Sequence, residues 1–238
     1  MKSIGMRFAL VLAATVLALL PRNAAATSVT LNAYDVKEFE YFGDDEETAY
    51  WYCHTSPVRL RNLTIFDGGV PIQWWIDRAG IEFDTSSIPD NANVTSVTLK
   101  VYVKQGFELN TVDVEFTRVP DPLDAGGGSA CYGRWIQIGN NPVYTTDNIL
   151  YGYNSISLGT DAADDLEDQL GDDFFTVGLK KKYEGLYDDY YWAELAEWNY
   201  TYPHQLVVTY VVPDPEYSRP ASFGEETSSW GRLKDLYR

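Results

Sequence analysis

The feature that most restricts the fold is a strict alternation of residue types over residues 97–104, VTLKVYVK. Successive side chains of a β-strand point to opposite faces of its sheet, so the alternation predicts a strand with one buried face and one wet face. Such half-buried strands are typical of antiparallel sheets. The apolar positions are Val97, Leu99, Val101 and Val103, and the positions between them are Thr98, Lys100, Tyr102 and Lys104.

The same period of two recurs along the chain. Clusters of Gly, Pro, Asn and Asp separate the runs, as expected for short strands joined by turns. The pattern predicts an all-β fold, namely an antiparallel, jelly-roll-like β-sandwich. The further strands are indicated by Val29, Leu31 and Ala33; Val58 and Leu60; Ile81 and Phe83; Val112, Val114 and Phe116; Phe175, Val177 and Leu179; and Leu206 to Val212.

One segment has helical spacing instead. In TDAADDLEDQLG, residues 160–171, the apolar residues Ala163, Leu166 and Leu170 fall on one helical face. Thr160 or Asp161 is a suitable N-cap, and the glycine at the end of the segment is a suitable stop. We therefore predict a single short helix across one end of the sandwich.

The N-terminal residues 1–26 predict a secretory signal peptide. Lys2 and Arg7 give a basic start, Phe8–Leu20 is apolar, and the segment ends in three alanines. The alternative is an uncleaved membrane anchor. We expect residues 27–212 to form one domain that is secreted, either extracellular or at the cell surface, with no membrane span after cleavage.

Charge excludes two classes of partner. Lys and Arg number 18 against 35 Asp and Glu, a formal net charge of −17. A surface this acidic repels nucleic acid and anionic lipid. High solubility outside the cell is its simplest consequence.

Two cysteines are present, Cys53 and Cys131. In an oxidising compartment, two cysteines in one small domain pair as a rule, so we predict a Cys53–Cys131 disulfide. A zinc or thiol-redox site is disfavoured because no Cys-x-x-Cys motif occurs and His54 is the sole histidine near either cysteine.

Aromatic residues make up 15% of the chain and are clustered. A planar ring stacks on the apolar face of a sugar, while neighbouring polar groups bond its hydroxyls. The run of residues 187–204, YDDYYWAELAEWNYTYPH, is too polar for an ordinary core strand, so we expect some of its rings to face a ligand. The alternative is that the rings fill the core. The predicted ligand-binding residues are Trp192, Trp198, Tyr190 and Tyr191, with Trp74 and Trp75, which alternate faces if they lie on a strand.

Nothing in the sequence indicates catalysis. His54 and His204 are its two histidines, and the Gly-x-Ser-x-Gly and His-Glu-x-x-His motifs are missing. A lyase that uses His204 with a neighbouring tyrosine (Tyr200, Tyr202 or Tyr210) is the enzymatic alternative. We predict that the protein is not an enzyme and has no cofactor.

Two other kinds of site are suggested by short motifs. Acidic clusters could hold structural calcium, although none matches an EF-hand loop and solvated charge is the simpler interpretation. The clusters are Asp44 to Glu47, Asp161 with Asp164 and Asp165, and Asp188 with Asp189. Glycosylation sequons begin at Asn62, Asn93 and Asn199.

The last residues, 213–238, differ in character from the domain. Pro213, Pro215 and Pro220 indicate an extended linker, which is followed by a short amphipathic segment over residues 229–238. This segment is suited to sorting or to capture by a neighbouring subunit. The alternative is that it packs on its own domain.

The run AGIEFDTSSIPDNANVTSVTLKVYV, residues 79–103, resembles the motif R-x-x-I-x-F-D-x-S-S-I-P … V-x-S-A-x-L-x-L-Y of DNRLRE-type domains. These extracellular β-sandwiches include carbohydrate-binding modules related to disaggregatase proteins. The DNRLRE string itself is absent, and Tyr202 replaces the usual basic residue before the closing Pro203. The resemblance implies a β-sandwich without catalytic activity that binds polysaccharide. The matching positions are Arg78, Ile81, Phe83, Asp84, Ser86, Ser87, Ile88, Pro89, Val94, Ser96, Leu99 and Tyr102.

Taken with the aromatic clusters, the resemblance predicts a secreted, non-catalytic carbohydrate-binding or surface-matrix module whose partner is a polysaccharide or cell-surface glycan. The alternative is a structural subunit of an extracellular filament or layer. Such a subunit would self-assemble by exchange of the N-terminal strand Val29–Val36 or of the tail.

Overall fold

A computed structural model describes residues 25–43, 50–68, 70–106, 111–123, 128–184, 192–197 and 200–213. Residues 26–212 form one compact unit built mainly of antiparallel strands. None of the helices among the described residues has the length and apolar character needed to cross a lipid bilayer. The strands are β1 Thr27–Gly43, β2 Tyr50–His54, β3 Val58–Asp67, β4 Val70–Asp84, β5 Asn93–Gly106, β6 Val112–Val119, β7 Val143–Ile149, β8 Gly152–Ser157, β9 Phe174–Lys181, β10 Ala193–Leu195 and β11 Gln205–Val211.

The strands form two facing sheets that share β1 and β3. In the first sheet, β11 lies between residues 27–32 of β1 and strand β5, which also pairs with β8 and β10. In the second sheet, β4 pairs with residues 33–43 of β1 and with β9, and the order continues to β6 and β7. β2 pairs with β1 at the edge of the second sheet. A strand that passes from one sheet to the other closes a corner of a sandwich.

The main core lies between the two sheets, as the alternation predicted. Leu99 and Val101 of β5 are fully buried in it, together with Ile81 of β4 and Val177 of β9. The all-β sandwich is thus confirmed. Each predicted run supplies residues to this core or packs against it.

The predicted helix is present as α2, Gly159–Gln169, but the predicted ends are wrong. Leu158 occupies the N-cap position without a side-chain bond, and a 3₁₀ turn, Leu170–Asp172, follows the helix. The chain then turns at Asp173, whose φ is 63°, rather than at Gly171. The apolar face of α2 packs against the sandwich, because Ala163, Leu166 and Leu170 are all buried in the main core.

A second helix, α1 Gly128–Asn140, makes the prediction of a single helix wrong. Three glycines in its 13 residues give it a weak intrinsic helix propensity. Tertiary contacts compensate, because Ile138 and Cys131 join Phe39 of β1 and Leu123 in a second apolar cluster. The predicted disulfide is confirmed and ties α1 to β2, with the two Cα atoms of Cys53 and Cys131 5.7 Å apart. α1 therefore covers the outer side of the second sheet.

Candidate functional site

On the outer side of the first sheet, strands β1, β11, β5 and β8 form a continuous surface. Its outward positions alternate with core residues such as Leu99, Ile156 and Leu206. None of the positions named below is acidic, although the chain has 35 Asp and Glu. These positions, called here the outer face, are Ser28, Thr30 and Asn32 of β1; Gln205, Val207 and Thr209 of β11; Thr98, Lys100, Tyr102 and Lys104 of β5; and Tyr153, Ser155 and Ser157 of β8.

Four tyrosines gather on this outer face, and Tyr102 lies at their centre. Tyr153 is its direct partner across β5 and β8, and the two rings meet edge to face with centroids 5.0 Å apart. Tyr202 stacks on Tyr102 at 4.9 Å, and Tyr200 lies 5.8 Å from it. Tyr153 and Tyr202 remain 49% and 48% exposed. We call Tyr102, Tyr153, Tyr200 and Tyr202 the tyrosine face.

The hydroxyl groups of Tyr102 and Tyr153 remain protonated at neutral pH. Desolvation, reinforced by Tyr151, raises the pKa of Tyr102, and desolvation with Tyr202 raises that of Tyr153. The Tyr153 hydroxyl donates to the Pro203 carbonyl oxygen at 3.2 Å, which fixes the ring. The tyrosine face thus offers both ring surfaces and hydroxyl groups.

A groove of about 290 Å³ adjoins Tyr153 and is lined by Lys100, Asn154, Ser155 and Gln205. This volume lies at the lower end of the range of about 300–1,000 Å³ for small-ligand sites. Asn154 holds the turn before β8, because its side-chain oxygen accepts the Leu150 N–H at 2.7 Å. The groove therefore places amide, hydroxyl and ammonium groups beside an exposed ring.

Lys104 anchors the segment that carries Tyr200. Its ammonium group lies 2.9 Å from a carboxylate oxygen of both Glu194 and Glu197. Desolvation lowers the pKa of Lys104, but the hydrogen bonds to Glu197 and Glu194 outweigh this and leave the pKa raised. The same ammonium lies 5.3 Å from the centre of the Tyr200 ring. This network gives Tyr200 a fixed support and pairs both glutamates with one ammonium group.

His204 lies beneath the tyrosine face and is fully buried. Nδ1 accepts the Tyr102 N–H at 3.1 Å, and Nε2–H donates to the Ala196 carbonyl oxygen at 2.8 Å. Desolvation lowers the pKa of His204 to about 4, so the ring is neutral at pH 7. Both ring nitrogens are engaged, which makes His204 a structural bridge.

The structure places Trp74 and Trp75 away from the tyrosine face. Trp74 and Trp75 are half-buried on β4, in the second sheet. The Trp75 ring packs edge to face on Phe42 at 5.2 Å and under the Arg61 guanidinium at 3.8 Å, so Trp75 has a packing role. Trp192 is half-buried directly before β10. Tyr190, Tyr191, Trp198 and Asn199 lie outside the described residues.

The aromatic run of residues 187–204 does contribute to the face, but through Tyr200 and Tyr202. Sequence reasoning missed Tyr102 and Tyr153. A signal for Tyr102 was available, since it occupies an outward position of the clearest alternation. Tyr153 gave no such signal, because its pairing with β5 joins distant parts of the chain.

The glycosylation sequons fall in different environments. Asn62 is only 1% exposed, and its amide donates to the Tyr183 carbonyl oxygen at 3.3 Å. The folded chain therefore does not present Asn62 to a glycosyltransferase. Asn93 is exposed at the start of β5.

Of the predicted calcium clusters, the structure describes that of Asp161, Asp164 and Asp165 on α2. Asp165 pairs with Arg118 at 3.1 Å and accepts the Tyr144 hydroxyl at 2.9 Å, so its charge is already balanced. Asp161 and Asp164 are exposed. The clusters at residues 44–47 and 188–189 lie outside the described residues, as do residues 1–24 of the predicted signal peptide (1–26) and residues 214–238 of the predicted linker and tail (213–238).

No protein-family model matches this chain, and no curated protein matches it significantly. The resemblance to DNRLRE-type domains therefore stays a prediction from the sequence.

Proposed function

We propose that this protein is a secreted, non-catalytic carbohydrate-binding module whose binding surface is the tyrosine face. The observation that carries the proposal is the grouping of Tyr102, Tyr153, Tyr200 and Tyr202 on the outer side of the first sheet. Exposed tyrosine rings offer a large apolar body with a polar group at its edge, which suits the two faces of a pyranose ring.

The surroundings of the tyrosine face favour a polymeric ligand. α1 packs over the second sheet. On the outer side of the first sheet, Lys100 is surrounded by uncharged residues, namely Thr98, Tyr102, Ser155 and Gln205. A sugar stacked on Tyr153 or Tyr202 would have the amide of Gln205 and the hydroxyl of Ser155 within the adjoining groove. A chain of sugars can follow the outer face across β8, β5 and β11.

The strand-exchange alternative requires β1 to leave its own chain. Thr27–Asn32 pairs with β11, and Ala33–Gly43 pairs with β4 of the same chain. The described part of β1 is thus already used within the sandwich, which favours the binding module over the filament.

A glycan array tests the proposal. We expect the exported protein to retain at least one polysaccharide, and the double variant Tyr153→Ala with Tyr202→Ala to lose most of that signal. Tyr34→Ala is the matched control, because Tyr34 is 67% exposed on β1 yet is not part of the tyrosine face. Retention of no sugar by the wild type would refute the proposal, and ordered polymers in negative stain without glycan would support the filament.

A further inference from the structure

A second cluster of polar residues crosses the second sheet in a row over four strands. Glu40 of β1 lies directly opposite Asp77 of β4, and Asp77 in turn lies opposite Arg61 of β3. His54 of β2 lies opposite Glu38 of β1. Because neighbouring strands present opposed side chains on the same face, this register brings the three carboxylates together. One oxygen from each of Glu38, Glu40 and Asp77 lies within 4.8 Å of the others.

An unsatisfied atom lies inside this cluster. Asp77 Oδ2 accepts a hydrogen bond from Arg61 Nε at 2.6 Å, but Asp77 Oδ1 is buried and has no hydrogen-bond donor among the described residues. The Asp77 side chain has no solvent exposure. A buried carboxylate oxygen without a partner loses its hydrogen bonds to water and gains none in exchange. This raises the free energy of the folded state unless another group binds the oxygen.

The charges of the cluster are also unbalanced. The Arg61 guanidinium pairs with Asp77, and Glu38 receives the backbone N–H of Arg59. The Arg59 guanidinium lies 4.0 Å from Glu194 and also attracts Glu38 and Asp77, so it is shared among three acids. The three carboxylates thus have fewer positive partners than negative charges, and a bound cation would balance the difference.

Access from solvent favours a cation. Glu40 keeps 12% of its side chain exposed, and its Oε2 lies 3.5 Å from Nε2 of the half-exposed His54. An ion could enter past these two residues and reach Glu38 and Asp77 behind them. Carboxylate oxygens are the ligands that hard divalent cations prefer.

We propose that Glu38, Glu40 and Asp77 form a binding site for a divalent cation of the calcium or manganese type. The ion would link β1 to β4 and replace the missing partner of Asp77 Oδ1. If the ion is Mn²⁺, the imidazole of His54 can serve as a fourth ligand, whereas Ca²⁺ would complete its shell with oxygen atoms alone. The site lies in the second sheet, so it does not depend on the tyrosine face.

Equilibrium dialysis of the chelator-treated full chain against CaCl₂ or MnCl₂, with the bound metal measured by mass spectrometry, tests this site. We expect one ion per chain with a Kd below about 1 mM, the range of extracellular calcium modules. Thermal unfolding should shift to higher temperature when the ion is added and return when chelator is added. His54→Ala should weaken Mn²⁺ binding and leave Ca²⁺ binding unchanged.

Glu40→Gln is the central variant, because Glu40 is the most exposed of the three acids and its loss should leave the fold intact. We expect its Kd to rise at least tenfold, and that of Asp77→Asn to rise further if this buried variant folds. Asp161→Asn, at an exposed acid of α2, is the matched control and should bind as the wild type does. The proposal is overturned if the wild type retains no ion at about 1 mM, which would mean that protons alone balance the cluster. It is equally overturned if Glu40→Gln binds as tightly as the wild type.

Discussion

The imidazole of His204 takes the place of a backbone partner for Tyr102. β11 pairs with β5 up to Lys100, and β10 pairs with β5 from Val103 onwards, so the edge of β5 at Tyr102 faces neither strand. Nδ1 of His204 accepts the Tyr102 N–H at 3.1 Å, and the Ala196 N–H donates to the Tyr102 carbonyl oxygen at 3.0 Å. A buried histidine thereby fixes the backbone beneath the central ring of the tyrosine face.

This arrangement predicts a specific dependence of stability on pH. The pKa of His204 falls from 6.5 to about 4 on folding, so the unfolded chain binds the proton more tightly. The contribution of the neutral His204 ring to the free energy of unfolding is fully present above pH 6.5, and it declines as the pH falls towards 4. Its size is about 3 kcal/mol, from 1.36 kcal/mol per pKa unit.

Urea unfolding between pH 4 and 7 measures this contribution if the wild type is compared with His204→Gln. The acids of the chain contribute to both profiles and cancel in the difference. We expect the wild type to lose about 3 kcal/mol more than His204→Gln over this interval. Parallel profiles for the two proteins would contradict the neutral, buried imidazole.

Two glycines of α1 should respond in opposite directions to alanine. A Cβ at Gly139 would collide with the guanidinium of Arg78, which pairs with Glu184 and donates to the Trp135 carbonyl oxygen. We expect Gly139→Ala to lower the free energy of unfolding by about 1–3 kcal/mol, the usual cost of overpacking.

Gly133→Ala is the matched substitution, since nothing lies within 4 Å of a Cβ at Gly133. We expect it to raise the free energy of unfolding by up to about 1 kcal/mol, because Ala favours the helix. Denaturant unfolding of both variants checks the pair. Equal effects would show that Arg78 does not pack on α1 as described.

Removal of the disulfide should be costly, because the bond closes a loop with a sequence separation of 78. Loss of the cross-link adds chain entropy to the unfolded state, worth roughly 4 kcal/mol for a loop of this length. We expect the double variant Cys53→Ser with Cys131→Ser to lose about that much in denaturant unfolding. Hydrogen exchange should increase most in α1, whose own helix propensity is weak. Identical unfolding with and without reductant in the wild type would contradict the bond.

The sandwich was predictable from the sequence because its strands are half-buried. Leu99 and Val177 belong to runs in which every second residue is apolar, the pattern of a strand with one buried face. This pattern is local, so it can be recognised without knowing which strands pair. α1 was not predictable in this way. Its helix depends on the disulfide to β2 and on the packing of Ile138 against Phe39, and both contacts join segments far apart in the chain.

The candidate site was predictable only in part. An aromatic cluster in residues 187–204 was indicated, and Tyr200 and Tyr202 come from it. That Trp192 and Trp198 bind a ligand stays a prediction, because the sequence gives the type of each ring whereas its position is decided by strand pairing. The tyrosine face forms because β8 places Tyr153 beside Tyr102 and because the segment before β11 brings Tyr202 onto the Tyr102 ring. Neither pairing has a local sequence signal.

The most direct measurement of the central claim is an NMR titration of the isotope-labelled protein with the oligosaccharide that the array identifies. We expect the shift changes to concentrate at Tyr102, Tyr153, Tyr200, Tyr202 and the outward residues of β5, β8 and β11. The chemical shifts of the Trp74 and Trp75 indole groups should not change. Changes confined to the tryptophans, or to the second sheet beneath α1, would contradict the assignment of the tyrosine face as the binding surface.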